Sequence, residues 1–530
     1  MPEQVAVKLR FGHGLNAVGA PDEIGPQECQ AGKNFDLELS RSALLRRKPF
    51  DLAGTAPNGL EVRGFAQVEK TDGTNHTVIQ AGDTVYDWDG STGFTSVGSV
   101  SASSRLRGAK SANFQLNDEV IVTDIAKQTV VKTWDGTDFS TLTTGLGADF
   151  YARYCVVDNE RAMFANVTAG NPTPHLIVGT ERGDNTVLSV TDRPSSALNE
   201  GDPFHIPIQD LRAINGLAQG FGRLVFSTLG GATWQMIGTS AKDFTITPLH
   251  PNSHVAGDDG LVHIGNDIVI PRPGKIDTLV GTDNFGDVEV DDLTRMIKSE
   301  VKGVNSWSVA FDPRLQRVYC LPEGGGEIFV LHKAIYDAAV GKVARLQQKA
   351  VDSGWSRWTT DHSFGFRTAA LWTMKRPGTN LDFVFMGGPS GEIFMMEGDG
   401  DQDGGTTDVA VERTSPLLHA PPGEFFDVEG TVFYRKGTAG TITITLEQSG
   451  RTVRDSAITV PMAAPTAANY FGEAKYFGGT NYFGVEFAKR RIRHPINIPG
   501  QSDEMQVKVS VSGAADFFID EVELRVVKSE

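Results

Sequence analysis

Three aspartates at alternate positions form the clearest chemical pattern in the chain: Asp399, Asp401 and Asp403, followed by Gly404. Carboxylates with this spacing can converge on a hard cation, as in the first half of a calcium-binding loop. A loop of the EF-hand type would need glutamate at its twelfth position, where this chain has Ala410. The pattern therefore leaves two interpretations, a calcium site and an acidic linker between domains.

Sequence motifs of enzyme active sites are not found. The segment Gly388–Glu392 contains a serine but not the glycine spacing of a nucleophile elbow. Gly341 and Lys342 lack the upstream glycine of a phosphate-binding loop. The chain has 66 acidic residues, so carboxylate pairs of the kind used by glycosidases arise by chance and indicate nothing. We predict that the protein is not an enzyme and needs no cofactor.

An aromatic pattern recurs every six residues near the C-terminus. Each copy is a Tyr-Phe pair followed by glycine, and the pairs are Tyr470-Phe471, Tyr476-Phe477 and Tyr482-Phe483. An even period places the pairs on one side of an extended segment. The rings could anchor a subunit interface, stack on sugars or fill the core of a β-sandwich.

Dense basic runs occur at Arg46–Lys48 and at Lys489–His494, the second of which contains Arg490, Arg491 and Arg493. Contact with phosphates is one interpretation, and a docking surface for an acidic partner is another. Charges on the outermost strand of a sheet also discourage aggregation. We favour a strand edge or an interface between subunits for these arginines.

Composition limits the class of protein. The 530 residues are 39% hydrophobic, which is enough for a packed core and excludes a wholly disordered chain. The net charge is −17, with the acidic excess in the first 410 residues. A surface this acidic does not bind phosphates, but it suits a channel through which nucleic acid moves without being bound.

Cysteines and apolar runs indicate where the protein folds. Cys29, Cys155 and Cys320 lie far apart in the sequence, which fits neither a disulfide framework nor a zinc motif. The N-terminus has no apolar signal region, and no stretch approaches the length of a membrane span. We expect folding in a reducing cytoplasm, without a membrane span.

Repeated strand–turn–strand units predict a β-propeller. Val85–Ser99 and Val131–Gly145 share a Trp-Asp-Gly core, and Trp88 and Trp134 are about one blade apart. Each unit predicts a hairpin in which a strand ends at Trp, Asp-Gly makes the turn and the next strand begins near Phe. Weaker copies occupy Cys155–Val167, Arg223–Gly238, Leu261–Gly281, Ser308–His332 and Phe383–Glu397.

The fold prediction is all-β, with a propeller of about seven blades, a C-terminal module like a β-sandwich and a few inserted helices. The helices are expected at Asp291–Gly303 and Lys333–Ala350. Four parts are expected: an arm or closing strand at 1–60, the propeller at 61–397, an acidic linker at 398–409 and the sandwich module at 410–530.

In its order of motifs the chain resembles the tail nozzle proteins of short-tailed bacteriophages (podoviruses), also called tail tubular protein B or packaged-DNA stabilisation protein. The motifs that carry the resemblance are NFDLELSRSALLRRKPF before the propeller, Met163–Asn185 followed by DLRAINGLAQGFGRLVFSTLGGATWQMIG, SGEIFMMEGDGDQDGGTTD, and the ending that begins at KRRIRH. Together they span most of the chain.

The resemblance implies a structural protein of the virion tail, assembled in the host cytoplasm. About six copies would form a ring below the portal and adaptor proteins, extend the DNA channel and retain or gate the packaged DNA. Tail fibres or spikes would dock outside the ring, and DNA would pass through the lumen without sequence-specific binding. Two alternatives are a carbohydrate-binding or sugar-cleaving propeller, suggested by the aromatic pairs, and a cytoplasmic scaffold of the WD40 type.

Overall fold

A computed structural model gives the fold of the chain. It describes residues 6–9, 14–18, 28–38, 41–109, 118–146, 149–184, 186–188, 198–208, 211–250, 255–257, 260–265, 267–281, 288–335, 354–366, 370–398, 402–419, 424–435, 440–448, 451–462, 491–502, 504–513 and 518–528. These residues are almost entirely β-structure, arranged as a seven-bladed propeller and a two-sheet sandwich.

Five short strands precede the first blade. They are β1 (Ala6–Leu9), β2 (Ala31–Lys33), β3 (Phe35–Glu38), β4 (Arg41–Arg46) and β5 (Asp51–Thr55). β3 and β4 pair with each other as a hairpin, whereas β1, β2, β4 and β5 all pair with strands far along the chain. This segment therefore does not form a complete sheet of its own.

Blades one to four are antiparallel meanders of four strands each, and blades one and two join as one eight-stranded sheet through a single parallel pair at Phe65 and Arg107. Blade one comprises β6 (Val62–Glu69), β7 (Asn75–Ala81), β8 (Thr84–Trp88) and β9 (Phe94–Ser99). Blade two comprises β10 (Leu106–Ala109), β11 (Val120–Asp124), β12 (Lys132–Trp134) and β13 (Phe139–Thr141). Blade three comprises β14 (Phe150–Asp158), β15 (Arg161–Ala169), β16 (Asn171–Gly179) and β17 (Phe204–Pro207). Blade four comprises β18 (Ile214–Gly220), β19 (Arg223–Thr228), β20 (Thr233–Ile237) and β21 (Thr245–His250).

Blades five and six have the same form, and blade seven borrows a strand. Blade five comprises β22 (Val262–Ile264), β23 (Asp267–Arg272), β24 (Lys275–Gly281) and β25 (Val288–Asp292). Blade six comprises β26 (Trp307–Asp312), β27 (Arg317–Pro322), β28 (Glu327–His332) and β29 (Trp355–Thr359). Blade seven comprises β30 (Leu371–Lys375), β31 (Asp382–Gly387), β32 (Glu392–Met395) and the N-terminal strand β5.

The blades follow one another around a closed ring. Each inner strand from β6 to β26 contacts the inner strand of the next blade, and the ring closes where β31 of blade seven contacts β6 of blade one. Strand β5 pairs antiparallel with β32, with Leu52 opposite Phe394. The outer strand of the last blade therefore comes from ahead of the first blade, which ties the two ends of the ring together.

Burial on both faces explains the apolar runs within the blades. Every residue of β11 and of β27 is buried, because a neighbouring blade covers each side of these strands. Such strands have continuous apolar sequences instead of strict alternation. Six of the seven tryptophans are fully buried, so the largest side chains fill the spaces between blades.

The Trp-Asp-Gly hairpins have the structure predicted from the sequence. Trp88 ends β8 and pairs with Phe94 at the start of β9, while Trp134 ends β12 and pairs with Phe139. The Trp88 ring also meets Phe385 of blade seven edge-on at 5.7 Å, so it packs between neighbouring sheets as expected.

Both ends of the chain contribute strands to the sandwich. Its C-terminal strands are β35 (Val411–Thr414), β36 (Leu418–His419), β37 (Glu424–Arg435), β38 (Gly440–Gln448), β39 (Arg451–Met462), β40 (Arg491–Ser502), β41 (Glu504–Ser512) and β42 (Phe518–Lys528). One sheet has the order β3-β4-β42-β37-β40, with β1 also on β42, and the other has the order β2-β35-β41-β38-β39. A small hairpin of β33 (Gln402–Asp403) and β34 (Thr407–Asp408) precedes them.

The sandwich core is continuous with that of the propeller. Ile442 and Ile444 point inward from a strand on which threonines alternate with isoleucines, as the sequence pattern predicts. They belong to one buried cluster with Val522 of the facing sheet and with Val318 and Trp355 of blade six. The expected division at 1–60 and 398–409 stays a prediction, but strand pairing places β1–β4 in the sandwich and β5 in the propeller.

Helical structure is smaller than the sequence predicts at Asp291–Gly303. The segment holds a 3₁₀ turn, Arg295–Ile297, and one α-helical turn, α1 (Lys298–Val301). Its first residues belong to β25 instead, where Asp291 pairs with Thr278, so their backbone bonds go to the sheet. The second predicted helix, Lys333–Ala350, begins with a helical turn at 333–335, and the rest lies outside the described residues.

Candidate functional site: the axial cavity and the module junction

A cavity of about 500 Å³ lies on the axis of the propeller. All seven inner strands contribute to its wall, since propeller blades converge at their first strands. Its lining includes Phe65, Arg107, Arg153, Tyr154, Leu217, His263, Phe311 and Trp372. We call this space the axial cavity.

Arg107 of blade two lies against an aromatic ring of blade one. Its guanidinium carbon is 5.2 Å from the centre of the Phe65 ring, which itself stacks on Trp372 at 4.6 Å. Its Nη1 donates to the carbonyl oxygens of Arg63 at 3.0 Å and Leu106 at 2.9 Å. These contacts hold the guanidinium group in one position. A long arginine side chain in water would instead sample many positions.

Arg153 of blade three has a similar setting. Its guanidinium carbon is 5.3 Å from the centre of the Tyr154 ring. The Tyr154 hydroxyl donates to the carbonyl oxygen of Asn215 in blade four at 3.0 Å, and the Asn215 amide donates to the carbonyl oxygen of Val255 at 2.9 Å. A chain of hydrogen bonds across blades therefore holds the ring beneath the cation.

Positive charge is concentrated around these two arginines. Burial and the nearby Arg153 guanidinium lower the pKa of Lys127. Thr123 connects the two blades, since its hydroxyl lies 3.5 Å from the Arg107 carbonyl oxygen and 3.4 Å from that of Arg153. Among the described lining residues, Asp382 carries the opposing negative charge.

A second cluster of charges lies where the sandwich meets blades six and seven. Arg317 of β27 donates to Asp36 of β3 at 2.8 Å and to Glu397, which follows β32. The guanidinium thus bridges two carboxylates that come from different modules. We call Asp36, Arg317 and Glu397, with Tyr319 and His332 beside them, the junction cluster.

Burial sets the protonation of the junction cluster. Loss of water raises the pKa of Asp36 to about 6, although Arg317 acts in the opposite direction. The Tyr319 hydroxyl donates to Glu397 at 2.7 Å, and burial together with that carboxylate raises the pKa of Tyr319 well above its ordinary value. Burial and then Arg317 lower the pKa of His332, so this imidazole stays neutral. The cluster therefore contains a carboxyl group that titrates near neutral pH.

A buried ion pair also joins the two segments that run between the modules. Arg47 donates to both carboxylate oxygens of Asp403, at 2.8 and 2.5 Å, and the two side chains are each 1% exposed. The Arg47 Nε donates to Asn34, which holds the left-handed backbone at φ 60 and accepts from the Thr359 amide. The segment before β5 is thereby anchored to β29 and to the acidic segment after blade seven.

The structure places the predicted site residues as follows. Asp403 has both oxygens engaged by Arg47, while Asp399 and Asp401 lie outside the described residues. Arg491 and Arg493 belong to β40, opposite Arg435 and Phe433, at the end of the described sheet. The aromatic residues Tyr470, Phe471, Tyr476, Phe477, Tyr482 and Phe483, and also Arg490, lie outside the described residues.

Sequence reasoning missed both the axial cavity and the junction cluster. Arg107, Arg153 and Trp372 stand in different blades, so no local spacing links them. Asp36 lies 281 positions before Arg317, and Glu397 lies 80 positions after it, so no local spacing links these residues either. The sequence held one weak signal for the junction cluster. Arg317 directly precedes the apolar run VYCLP, and a charged residue inside an apolar strand indicates a buried partner.

Within the described residues, no group of three or more His, Cys, Asp and Glu side chains is arranged to hold a metal ion. None of the described helices is long and apolar enough to cross a membrane.

Comparisons with known proteins give a likeness of fold. No protein-family model and no curated protein matches the chain. Among solved structures, YCF48 from Cyanidioschyzon merolae is 15% identical, with 66% of this chain and 98% of that chain covered and a TM-score of 0.40. A catalytically inactive virginiamycin B lyase from Staphylococcus aureus with quinupristin is 10% identical, with 65% of this chain and 98% of that chain covered and a TM-score of 0.40. BBS1N in complex with ARL6DN is 10% identical, with 68% of this chain and 99% of that chain covered and a TM-score of 0.43.

At these identities and TM-scores the likeness carries no argument about activity or partners.

Proposed function

We propose that the protein is a structural component of a short bacteriophage tail, a nozzle subunit that extends the DNA channel below the portal and adaptor. About six copies form the ring, and fibres or spikes dock on its outside. Its work lies in interfaces and in retaining or gating packaged DNA, not in catalysis.

The observation that carries this proposal is the construction of propeller and sandwich as a single block. The Arg47–Asp403 pair and the junction cluster connect the modules, and one apolar core runs through both. A ring subunit that holds pressurised DNA needs modules that keep their relative position under load. Interiors packed to crystal-like density transmit strain in this way.

Charge supports the same proposal. The net charge of −17 gives the subunit a field that repels DNA phosphates. A lumen lined with such subunits lets DNA pass quickly, whereas a basic lumen would hold it by release of counterions. The order of sequence motifs, which resembles that of tail nozzle proteins, supports the assignment to the tail.

Immunogold labelling of purified particles from the source lysate tests the proposal. Antibody against this protein should place gold at a single tail vertex in negative-stain images, while antibody against a major capsid protein serves as the control and labels the whole shell. Particles assembled without this chain should lose their DNA, measured by nuclease sensitivity. Absence of gold from every particle, with the protein remaining in the soluble fraction, would refute it.

A further inference from the structure

We propose that the axial cavity is a binding site for a small organic anion, a flat apolar body that carries one phosphate or carboxylate group. This inference is independent of the tail assignment, because it rests only on the geometry of the propeller axis.

Size and lining fit a small ligand. A volume of about 500 Å³ lies within the range of ordinary ligand pockets. Such pockets are mainly apolar and carry a few well-placed polar groups that orient the ligand. Here Leu217, Phe311 and Leu371 supply apolar wall, and each is less than a tenth exposed.

The charged groups select the ligand's head group. Arg107 and Arg153 come from adjacent blades and present planar guanidinium groups, whose donor geometry matches the oxygens of phosphate and carboxylate. The only acidic side chain among the described lining residues is Asp382, so the two cations outnumber it. A cationic lining inside a protein of net charge −17 favours an anion from solution specifically at this place.

Pre-organisation distinguishes these arginines from surface arginines. Each lies on an aromatic ring, at 5.2 Å for Phe65 and 5.3 Å for Tyr154, and each ring is held by another blade. Ordering a free arginine on binding costs side-chain entropy, and here the fold has already ordered it. The stacking contacts therefore hold both guanidinium groups in place before any ligand binds.

Isothermal titration calorimetry of the full-length protein tests the site with two probes, phenyl phosphate and benzoate. We expect at least one to bind with a submillimolar dissociation constant, and the tighter of the two identifies the head group. Phenol, which lacks the charge, should give no measurable binding. The variants R107Q and R153Q should each weaken binding roughly tenfold or more, whereas R182Q, at an exposed arginine paired with Glu160, should bind as the wild type does.

A second measurement uses the wild-type protein, so it does not depend on how well a variant folds. Phenylglyoxal modifies arginines, and mass spectrometry reports the rate at each position. Saturating phenyl phosphate or benzoate should slow modification of Arg107 and Arg153 but leave Arg182 unchanged. Failure of both probes to bind at millimolar concentration, or binding that neither protects these arginines nor weakens in folded R107Q and R153Q, would overturn the proposal.

Discussion

At the scale of single residues, the junction cluster shows how one cation stabilises two buried carboxylates. Burial acts to lower the pKa of Arg317, but Asp36 and Glu397 raise it well above its ordinary value, so the guanidinium stays charged. Removing it would leave both carboxylates in a dry site without their counter-charge.

The substitution R317M should therefore destabilise the protein by about 3–5 kcal/mol, the usual cost of breaking a buried ion pair from one side. Urea denaturation followed by far-UV circular dichroism gives the value. The control R182M breaks an ion pair whose partners are each about half exposed, and it should cost at most about 1 kcal/mol. Equal effects of the two substitutions would show that the junction cluster contributes no more than a surface pair.

The raised pKa of Asp36 predicts a specific dependence on pH. Its value of about 6 in the folded protein lies above the ordinary 3.8, so folding favours the protonated form. That contribution is fully present below pH 3.8 and is lost as the pH rises through about 6. Between pH 4 and pH 7 the wild type should lose stability relative to D36N by roughly 1–3 kcal/mol. Paired urea titrations at several pH values measure the difference, and parallel curves for the two proteins would contradict the prediction.

Contacts between residues that lie far apart in the sequence cannot be predicted from local sequence patterns. Asp403 was identified as one of three alternating aspartates, but its partner Arg47 was assigned to a basic run more than three hundred positions away. The chain must fold before these groups meet, and nothing in their immediate neighbours records the pairing. By contrast, Trp88 and Trp134 were placed correctly because their hairpin partners lie within a few positions.

At the scale of elements, the hairpins of the propeller were predictable because turn residues and strand pattern act locally. The units at Arg223–Gly238 and Ser308–His332 have strands and turns where the sequence indicates them. Strand pairing between distant segments was not predictable in the same way. β5 joins blade seven, and β2 pairs with β35. Both pairings depend on which sheet edges remain unpaired after the blades form.

The glycine of the first Trp-Asp-Gly turn provides a test at this scale. Gly90 has φ +88, and a Cβ there would lie 2.6 Å from Pro377 of blade seven. G90A should destabilise the protein by about 1–2 kcal/mol for the left-handed backbone, with a further loss from the clash. The matched control is G73A, where φ is +85 and no atom lies within 4 Å of the added carbon.

Thermal unfolding of both variants separates the two contributions. G73A should report the backbone cost alone, and the additional decrease in Tm for G90A measures the contact between the first and last blades. Identical melting temperatures would show that this contact is loose enough to accept a methyl group.

At the scale of the whole molecule, strands from both termini make the sandwich, and the sandwich shares its core with blade six. A module built from both ends cannot complete its sheets until the propeller between them has formed. Because loop closure over such distances must precede the contacts that stabilise it, we expect slow folding and a single cooperative unit.

Hydrogen exchange measured by mass spectrometry tests this cooperativity. Amides of β41 in the sandwich and of β27 in blade six should exchange with the same opening free energy at low urea, because neither module keeps its core without the other. R47M removes the cation from Asp403 across the module boundary, so it should lower protection in both strands by an equal amount. R182M, at an exposed pair within blade three, should leave both strands unchanged. Two results would contradict this prediction: faster exchange of β41 than of β27, or an effect of R47M on the sandwich alone. Either result would show that the two modules are independent domains. The buried pairs between them would then position the modules without coupling their stability.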